Sequence, residues 1–174
     1  IRVIYAGNIG VGQGLHKVIP KLAKKMEKNI KFIVIGDGGQ KTQLQVELIK
    51  SGCKNVDLRL PVSRVELISE YNEADIFFLH LNDYKAFHKV LPSKIFEYAA
   101  FGKPIWAGVS GYAASFIKKE IENSVVFHPC NIDEAINSFH SLVIKNTVRS
   151  KFIKKFDRVG IMKKMSREIL DIAK

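Results

Sequence analysis

The sequence predicts an α/β fold: a doubly wound, Rossmann-like parallel sheet of about six strands with helices on both faces. Three observations lead there. Six short apolar runs alternate with six longer stretches of helical periodicity. The runs are apolar nearly throughout, not at every second residue, as in strands covered on both faces. Irregular segments, two of them rich in glycine, follow strand ends, where open sheets of this kind bind ligands.

The first strand is "RVIYA" (2–6), followed by "GNIGVGQG" and a helix over 14–28. On that helix Leu15, Val18, Ile19, Leu22 and Met26 form an apolar side. Lys21, Lys24, Lys25 and Lys28 recur opposite it as a solvated face. The second strand, "IKFIVIG" (30–36), leads through "GDGG" into a helix over 41–51. The third, "NVDLRL" (55–60), leads to a helix over 63–73. The fourth, "DIFFLHL" (75–81), is followed by the long loop "NDYKAFHKVLP" (82–92) and a helix over 93–101. The fifth and sixth, "KPIWAG" (103–108) and "SVVFHP" (124–129), precede helices over 111–121 and 132–145. Two more helical stretches, near 147–156 and 161–173, close a single domain over 1–174. Their bases, Arg149 to Lys164 among them, interleave with apolar residues. They read either as amphipathic helices docked on the domain or as a membrane-facing or interdomain surface.

Composition bounds the function. Hydrophobic residues make up 47% of 174, enough for a core, and no apolar run approaches the roughly 20 residues of a membrane span. No signal-peptide pattern is visible. The chain opens at Ile1 directly on a strand pattern, which predicts a piece of a longer protein. Cys53 and Cys130 have no metal-ligand spacing and read as packed thiols of a reducing cytoplasm. With 28 basic against 17 acidic residues, the net charge of +11 suits nucleic acid, anionic lipid or a phosphorylated small molecule. Trp106 and most of the eleven phenylalanines are core candidates. The five histidines are scattered, with His88 in the long loop.

Four glycines in "GNIGVGQG" (Gly7, Gly10, Gly12, Gly14) let the backbone approach a ligand, and the next helix points free amides at the loop, an arrangement suited to phosphate. A tight packing turn is the alternative. The spacing fits neither the P-loop, because Gln13 and Gly14 follow Gly12, nor the dinucleotide fingerprint, whose third glycine would fall at Leu15. In "LPSKIFEYAAFGKP" (91–104) the helix starts with Pro92 in its first position or Ser93 as its cap. Ile95, Phe96, Ala99 and Ala100 share one side. Lys94 and Glu97 share the other, toward the cleft beyond the strand ends. A carboxylate there can accept from the vicinal hydroxyls of a ribose, and Lys94 with the amides near Ser93 can hold a diphosphate. A surface ion pair worth about 0.3–0.5 kcal/mol is the alternative.

"YAGNIGVGQGLHKVIPKLAKK", "FIVIGDGGQKTQL", "YNEADIFFLHL" and "LPSKIFEYAAFGKPIWAG" together resemble the carboxyl-terminal, donor-binding domain of GT-B glycosyltransferases. The nearest group is family 4, a retaining family, in its bacterial cell-surface polysaccharide branch with N-acetyl-amino-sugar and fucosamine transferases. The resemblance spans almost the whole chain. It implies a sugar-nucleotide donor, UDP-linked, and a glycan or lipid-linked acceptor brought by an amino-terminal domain absent from this chain. It further implies no metal and no cofactor, a cytoplasmic location with peripheral attachment to the membrane's inner face, no nucleic-acid partner, and a fragment that binds donor without turnover. The resemblance places Glu97 on the ribose, and the helix spacing, not the family pattern, adds Lys94 beside it as the second catalytic candidate. Asn8, Gly10, Gly12, Gln13, Gly14, Ser93, Lys94 and Glu97 bind the donor, and the segment Leu60, Pro61, Val62 faces its base. Three charges of the family pattern are replaced here: its first glutamate falls at Lys89, its first-loop arginine at Asn8 and its first-loop lysine at Gln13. Lys94 is the candidate to supply the missing positive charge. Two other readings are a sugar-nucleotide epimerase of related fold and a basic module for anions or nucleic acid. The latter has no helix-turn-helix, zinc or RNA-sheet signature to support it.

Overall fold

A computed structural model of the chain describes residues 1–172. Its centre is a six-stranded, all-parallel sheet of β1 (Arg2–Ala6), β2 (Lys31–Ile35), β3 (Val56–Arg59), β4 (Ile76–His80), β5 (Ile105–Gly108) and β6 (Ser124–Phe127). The strand order is β3-β2-β1-β4-β5-β6. The order reverses between β1 and β4, and it is beyond the strand ends at such a reversal that a crevice forms. The register is continuous, with Val3 facing both Phe32 and Ile76, and Phe77 facing Ile105.

Alternate strand residues bury into opposite layers. On one face Tyr5, Phe32, Val34, Phe78, Trp106 and Phe127 pack with α1 (Leu15–Lys25), α2 (Lys41–Ser51) and α6 (Ile132–Phe139). On the other Ile4, Ile33, Phe77, Leu79, Ile105 and Ala107 pack with α3 (Arg64–Glu73), α4 (Lys94–Phe101), α5 (Gly111–Glu120) and α7 (Ser150–Lys155). Trp106 is fully buried, and its indole N–H donates to the Ala135 carbonyl at 3.1 Å, as an enclosed indole requires.

Differences from expectation have local causes. β1 has the expected bounds, and the other five strands are one or two residues shorter at one or both ends. The helix expected over 132–145 stops at Phe139, after which Asn123 draws the chain away by donating to the carbonyls of Val143 and Lys145. The 82–92 loop contains a 3₁₀ turn, Lys85–Lys89. On α4, Ala100 is exposed and Tyr98 is fully buried, because the Tyr98 hydroxyl accepts the Ala6 amide at 3.2 Å and so has a partner inside the core. Of the two closing helices only α7 docks, through Phe152. The last helix, α8 (Arg158–Ile172), has no buried residue, and its expected end at 173 lies outside the described residues. Among the described residues no helix is long and apolar enough to cross a membrane. Cys53 and Cys130 are free, half-buried thiols.

Candidate functional site

A cleft of about 350 Å³ opens beyond the carboxyl ends of β1, β2 and β3. Its floor is Ala6, Gly7 and Asn8 after β1 and Ile35, Gly36 and Asp37 after β2. Pro61 and Val62 after β3, with Leu67 and Tyr71 of α3, form one wall. Lys94 and Glu97 of α4 form the other. The floor is narrow because the two glycine segments lie against each other. The Gly7 amide donates to the Ile35 carbonyl at 2.9 Å, and a β-carbon on Gly36 would run into the Gly7 carbonyl oxygen.

Helix α4 enters without a side-chain cap at Ser93; its first bonds run from Ile95 N to the Pro92 carbonyl and from Phe96 N to the Ser93 carbonyl, each 3.1 Å. This sets Lys94 and Glu97 in the first turn, on the cleft side. Lys94 is half-buried: its ammonium lies 5.4 Å from the centre of the Tyr98 ring, and its end packs against Gly7, where a β-carbon would sit 3.0 Å from Cε and 3.1 Å from Nζ. Gly7 has φ +147°, a conformation other side chains rarely adopt. No ion pair engages Lys94 among the described residues. Burial lowers its pKa from the usual lysine range; the Glu97 charge opposes that shift and the Arg64 charge adds to it.

Glu97 is held from α3. The Arg64 guanidinium donates to Oε1, and the Tyr71 hydroxyl donates to Oε2 at 3.5 Å. Arg64 stands in the first turn of α3 because Ser63 caps that helix: Ser63 Oγ accepts from Glu66 N at 3.3 Å, and the Glu66 carboxylate accepts from Ser63 N at 2.9 Å. The paired Glu97 raises the pKa of Arg64. Burial, and then the Glu97 charge, push the Tyr71 phenol well above its ordinary range. Tyr71 is fully buried, edge-on to Tyr98 at 5.8 Å and to Phe77 at 5.0 Å.

Of the residues the sequence singled out, Asn8, Pro61, Val62, Lys94 and Glu97 line this cleft. Gly10, Gly12, Gln13, Gly14, Leu60 and Ser93 do not. The rest of the first glycine loop is turned inward. Gln13 N and Gly14 N donate to the Gly10 carbonyl at 3.2 and 3.3 Å, and Gln13 Oε1 accepts from Gly10 N and from Asn8 Nδ2. Phe87 roofs Gly12, and Asn82 lies over Gly14. The amides of Gln13 and Gly14 are therefore engaged within the loop and do not face the hollow. Gln13 reaches the cleft only through Asn8. Leu60 projects to solvent. Lys89 and His88 belong to the 3₁₀ turn, where His88 Nε2 meets Asp83 Oδ1 at 3.1 Å. Gly7, Gly36 and Asp37 of the floor belong to the two glycine-rich loops that the sequence pointed to, without being assigned a donor contact of their own; Arg64, Leu67 and Tyr71 of α3 are the residues that sequence reasoning missed. The Ser63–Glu66 capping pattern was the available signal for α3, since it fixes where that helix begins and hence which side chains its first turn presents.

The profile of the family described as glycosyl transferases group 1 matches residues 2–158. Among curated proteins, an Escherichia coli (strain K12) protein provisionally named colanic acid biosynthesis glycosyl transferase WcaI is 28% identical over 100 residues; that stretch covers 58% of this chain and 24% of WcaI. Among solved structures, Anabaena Alr3699/HepE in complex with UDP superposes with a TM-score of 0.77 at 16% identity, over 98% of this chain and 48% of HepE. The lipopolysaccharide outer core galactosyltransferase WaaB superposes with a TM-score of 0.74 at 14% identity, over 98% of this chain and 49% of WaaB. The fold is thus the Rossmann-like domain of GT-B glycosyltransferases, and this chain spans about a quarter to a half of the length of these three relatives. With nine-tenths of its length under one family profile, the chain belongs to the glycosyl transferases group 1 family.

Proposed function

We propose that this chain is the nucleotide-sugar binding half of a retaining glycosyltransferase. It would hold a UDP-linked donor while a second domain presents a glycan or lipid-linked acceptor of cell-surface polysaccharide assembly at the cytoplasmic side of the membrane. One observation carries the reading: a half-buried lysine, without an ion-pair partner among the described residues, and an oriented carboxylate face one hollow, beside the tightly packed glycines at the ends of β1 and β2. A desolvated ammonium favours a site that will receive an anion. The support from relatives is that HepE was solved with UDP, and that WcaI and WaaB carry names of polysaccharide and lipopolysaccharide synthesis.

In this reading Lys94, in the first turn of α4, grips the diphosphate. Glu97 accepts from the ribose hydroxyls. Pro61 and Val62 flank the base. Asn8, braced by Gln13, borders the phosphates, and the Gly10–Gly14 turn supports it from below. Sugar transfer breaks the bond between C1 and a phosphate oxygen, and negative charge accumulates on the departing diphosphate. An ammonium already stripped of part of its water stabilises that charge more than a solvated one, and removing one such donor commonly costs about 3–4 kcal/mol of transition-state stabilisation. The basic α7–α8 segment would add attraction to an anionic leaflet, about 1 kcal/mol per lysine near the surface.

Calorimetry with UDP and 2′-deoxy-UDP tests the assignment. The chain should bind UDP and prefer it to the deoxy form, and Glu97→Ala should remove the preference. Absence of heat with any nucleoside diphosphate would defeat the reading.

A further inference from the structure

Lys94 and Glu97 stand three residues apart on α4, a spacing at which opposite charges ordinarily pair. They do not pair here. Both Glu97 oxygens are engaged from α3, Oε1 by Arg64 and Oε2 by Tyr71, while the lysine end lies over the Tyr98 ring and against Gly7. We propose that Arg64 is a positioning residue: by occupying Glu97 it keeps Lys94 free of its own helix neighbour and available to the diphosphate of a nucleotide. The inference rests on the donor-binding reading for its ligand, but the exchange of ion pairs is a property of the chain alone.

The surroundings leave few alternatives for either charge. The Tyr5 hydroxyl is committed to the Asn8 carbonyl at 2.6 Å. Asp37, at the far end of the floor, accepts from Gly38 N at 2.8 Å and faces Lys41 at 3.8 Å. Tyr71 is locked in the core and cannot follow Glu97 if the carboxylate turns. Arg64 itself is 62% exposed, so α3 does not depend on it for packing, and the Ser63–Glu66 cap remains when it is removed. Once Arg64 is gone, the cation nearest Glu97 within the cleft wall is Lys94. A carboxylate paired with Lys94 is turned from the ribose, and a lysine paired with Glu97 is withdrawn from phosphate. One substitution on α3 thereby degrades two contacts made by α4.

The test uses Arg64→Ala, Arg64→Lys and the double variant Arg64→Ala/Glu97→Gln with two readouts. The first needs no nucleotide: NMR titration of the Lys94 side-chain amine. In Arg64→Ala the amine should titrate higher than in the wild type, because it has gained a carboxylate and lost a neighbouring cation. In the double variant the part due to Glu97 should disappear. The second is the ratio of UDP to UMP affinity, which isolates the second phosphate. In Arg64→Ala it should fall roughly tenfold, the weight of one charge-assisted contact of about 1.4 kcal/mol. It should recover in the double variant and be largely kept in Arg64→Lys. A merely structural role for Arg64 would weaken UDP and UMP equally and leave the ratio alone, which would overturn the proposal. A Lys94 amine unmoved by Arg64→Ala would overturn it too, while leaving wild-type UDP binding and the donor reading intact. Wild-type protein that binds no UDP, with the amine shifting as expected, would remove the donor reading and the ligand named here.

Discussion

Replacing His80 by phenylalanine should flatten the acid side of this protein's stability profile. His80 ends β4 and is fully buried between Phe78 and Phe127, with ring centres 6.2 and 6.1 Å away. Its Nε2 accepts the Cys130 amide at 3.0 Å, so Nδ1 carries the proton and donates to the Gln13 carbonyl at 2.7 Å. The ring therefore ties the first glycine loop to the loop after β6, and only as the neutral tautomer. Burial is the main reason its pKa falls from 6.5 to about 4; the bond to Gln13 opposes the shift and the charge of Lys17 adds to it. Because the folded value lies below the unfolded one, the unfolded chain binds the extra proton first. The contribution of neutral His80 is present above about pH 6.5 and is lost as pH falls toward 4. Between pH 7 and pH 5 that loss amounts to about 2 kcal/mol, within a full span of about 3 kcal/mol. Urea unfolding of wild type and His80→Phe at both pH values measures it. The variant is weaker at pH 7, since Gln13 and Cys130 lose their partner, but it should lose about 2 kcal/mol less than wild type on going to pH 5. Every other ionisable group is common to the two proteins and cancels in the comparison. Parallel profiles would refute the reasoning.

Two further outcomes follow from packing. Arg149 is buried and donates to the carbonyls of Ala99, Lys103 and Glu122 at 2.7–3.1 Å, fastening α4 to the ends of β5 and α5; its pKa is lowered to about 10 by burial. Arg149→Leu should cost about 3 kcal/mol in urea unfolding, since it leaves those carbonyls without donors, and a cost below about 1 kcal/mol would contradict that role. Gly36→Ala should cost about 1–3 kcal/mol or more and weaken nucleotide binding with it, because the new methyl meets the Gly7 carbonyl and pushes the cleft floor apart. A variant with unchanged stability and UDP affinity would show that the floor yields freely.

The sheet was legible because its signal is local and repeated. Runs such as Val3–Ala6 and Ile76–Leu79 are apolar on both faces, and that requires cover on both sides. The cleft side of α4 was legible for the same reason: 3.6-residue geometry puts Lys94 and Glu97 together whatever else the chain does. What grips them was not legible. Arg64 and Tyr71 lie 33 and 26 residues before Glu97, and no spacing rule links a helix after β3 to one after β4. Tyr98 escaped notice because its hydroxyl is polar by type, yet it is satisfied by the Ala6 amide inside the core. The first glycine loop misled in its direction more than in its existence. Glycines there do permit close approach, but by Phe87, Asn82 and the loop's own carbonyls, and the glycines that border the hollow are Gly7 and Gly36.

Everything proposed for the cleft rests on Lys94, half-buried and without an ion-pair partner among the described residues. Isothermal titration of the chain with UDP and with UMP, repeated on Lys94→Met, is the most direct trial. Methionine keeps the contacts with Gly7 and the Tyr98 ring while deleting the charge. UDP should bind the wild type better than UMP by roughly tenfold, about 1.4 kcal/mol, and Lys94→Met should bring the two together while remaining folded. Equal loss of both nucleotides, or undiminished preference for UDP in the variant, would contradict the account.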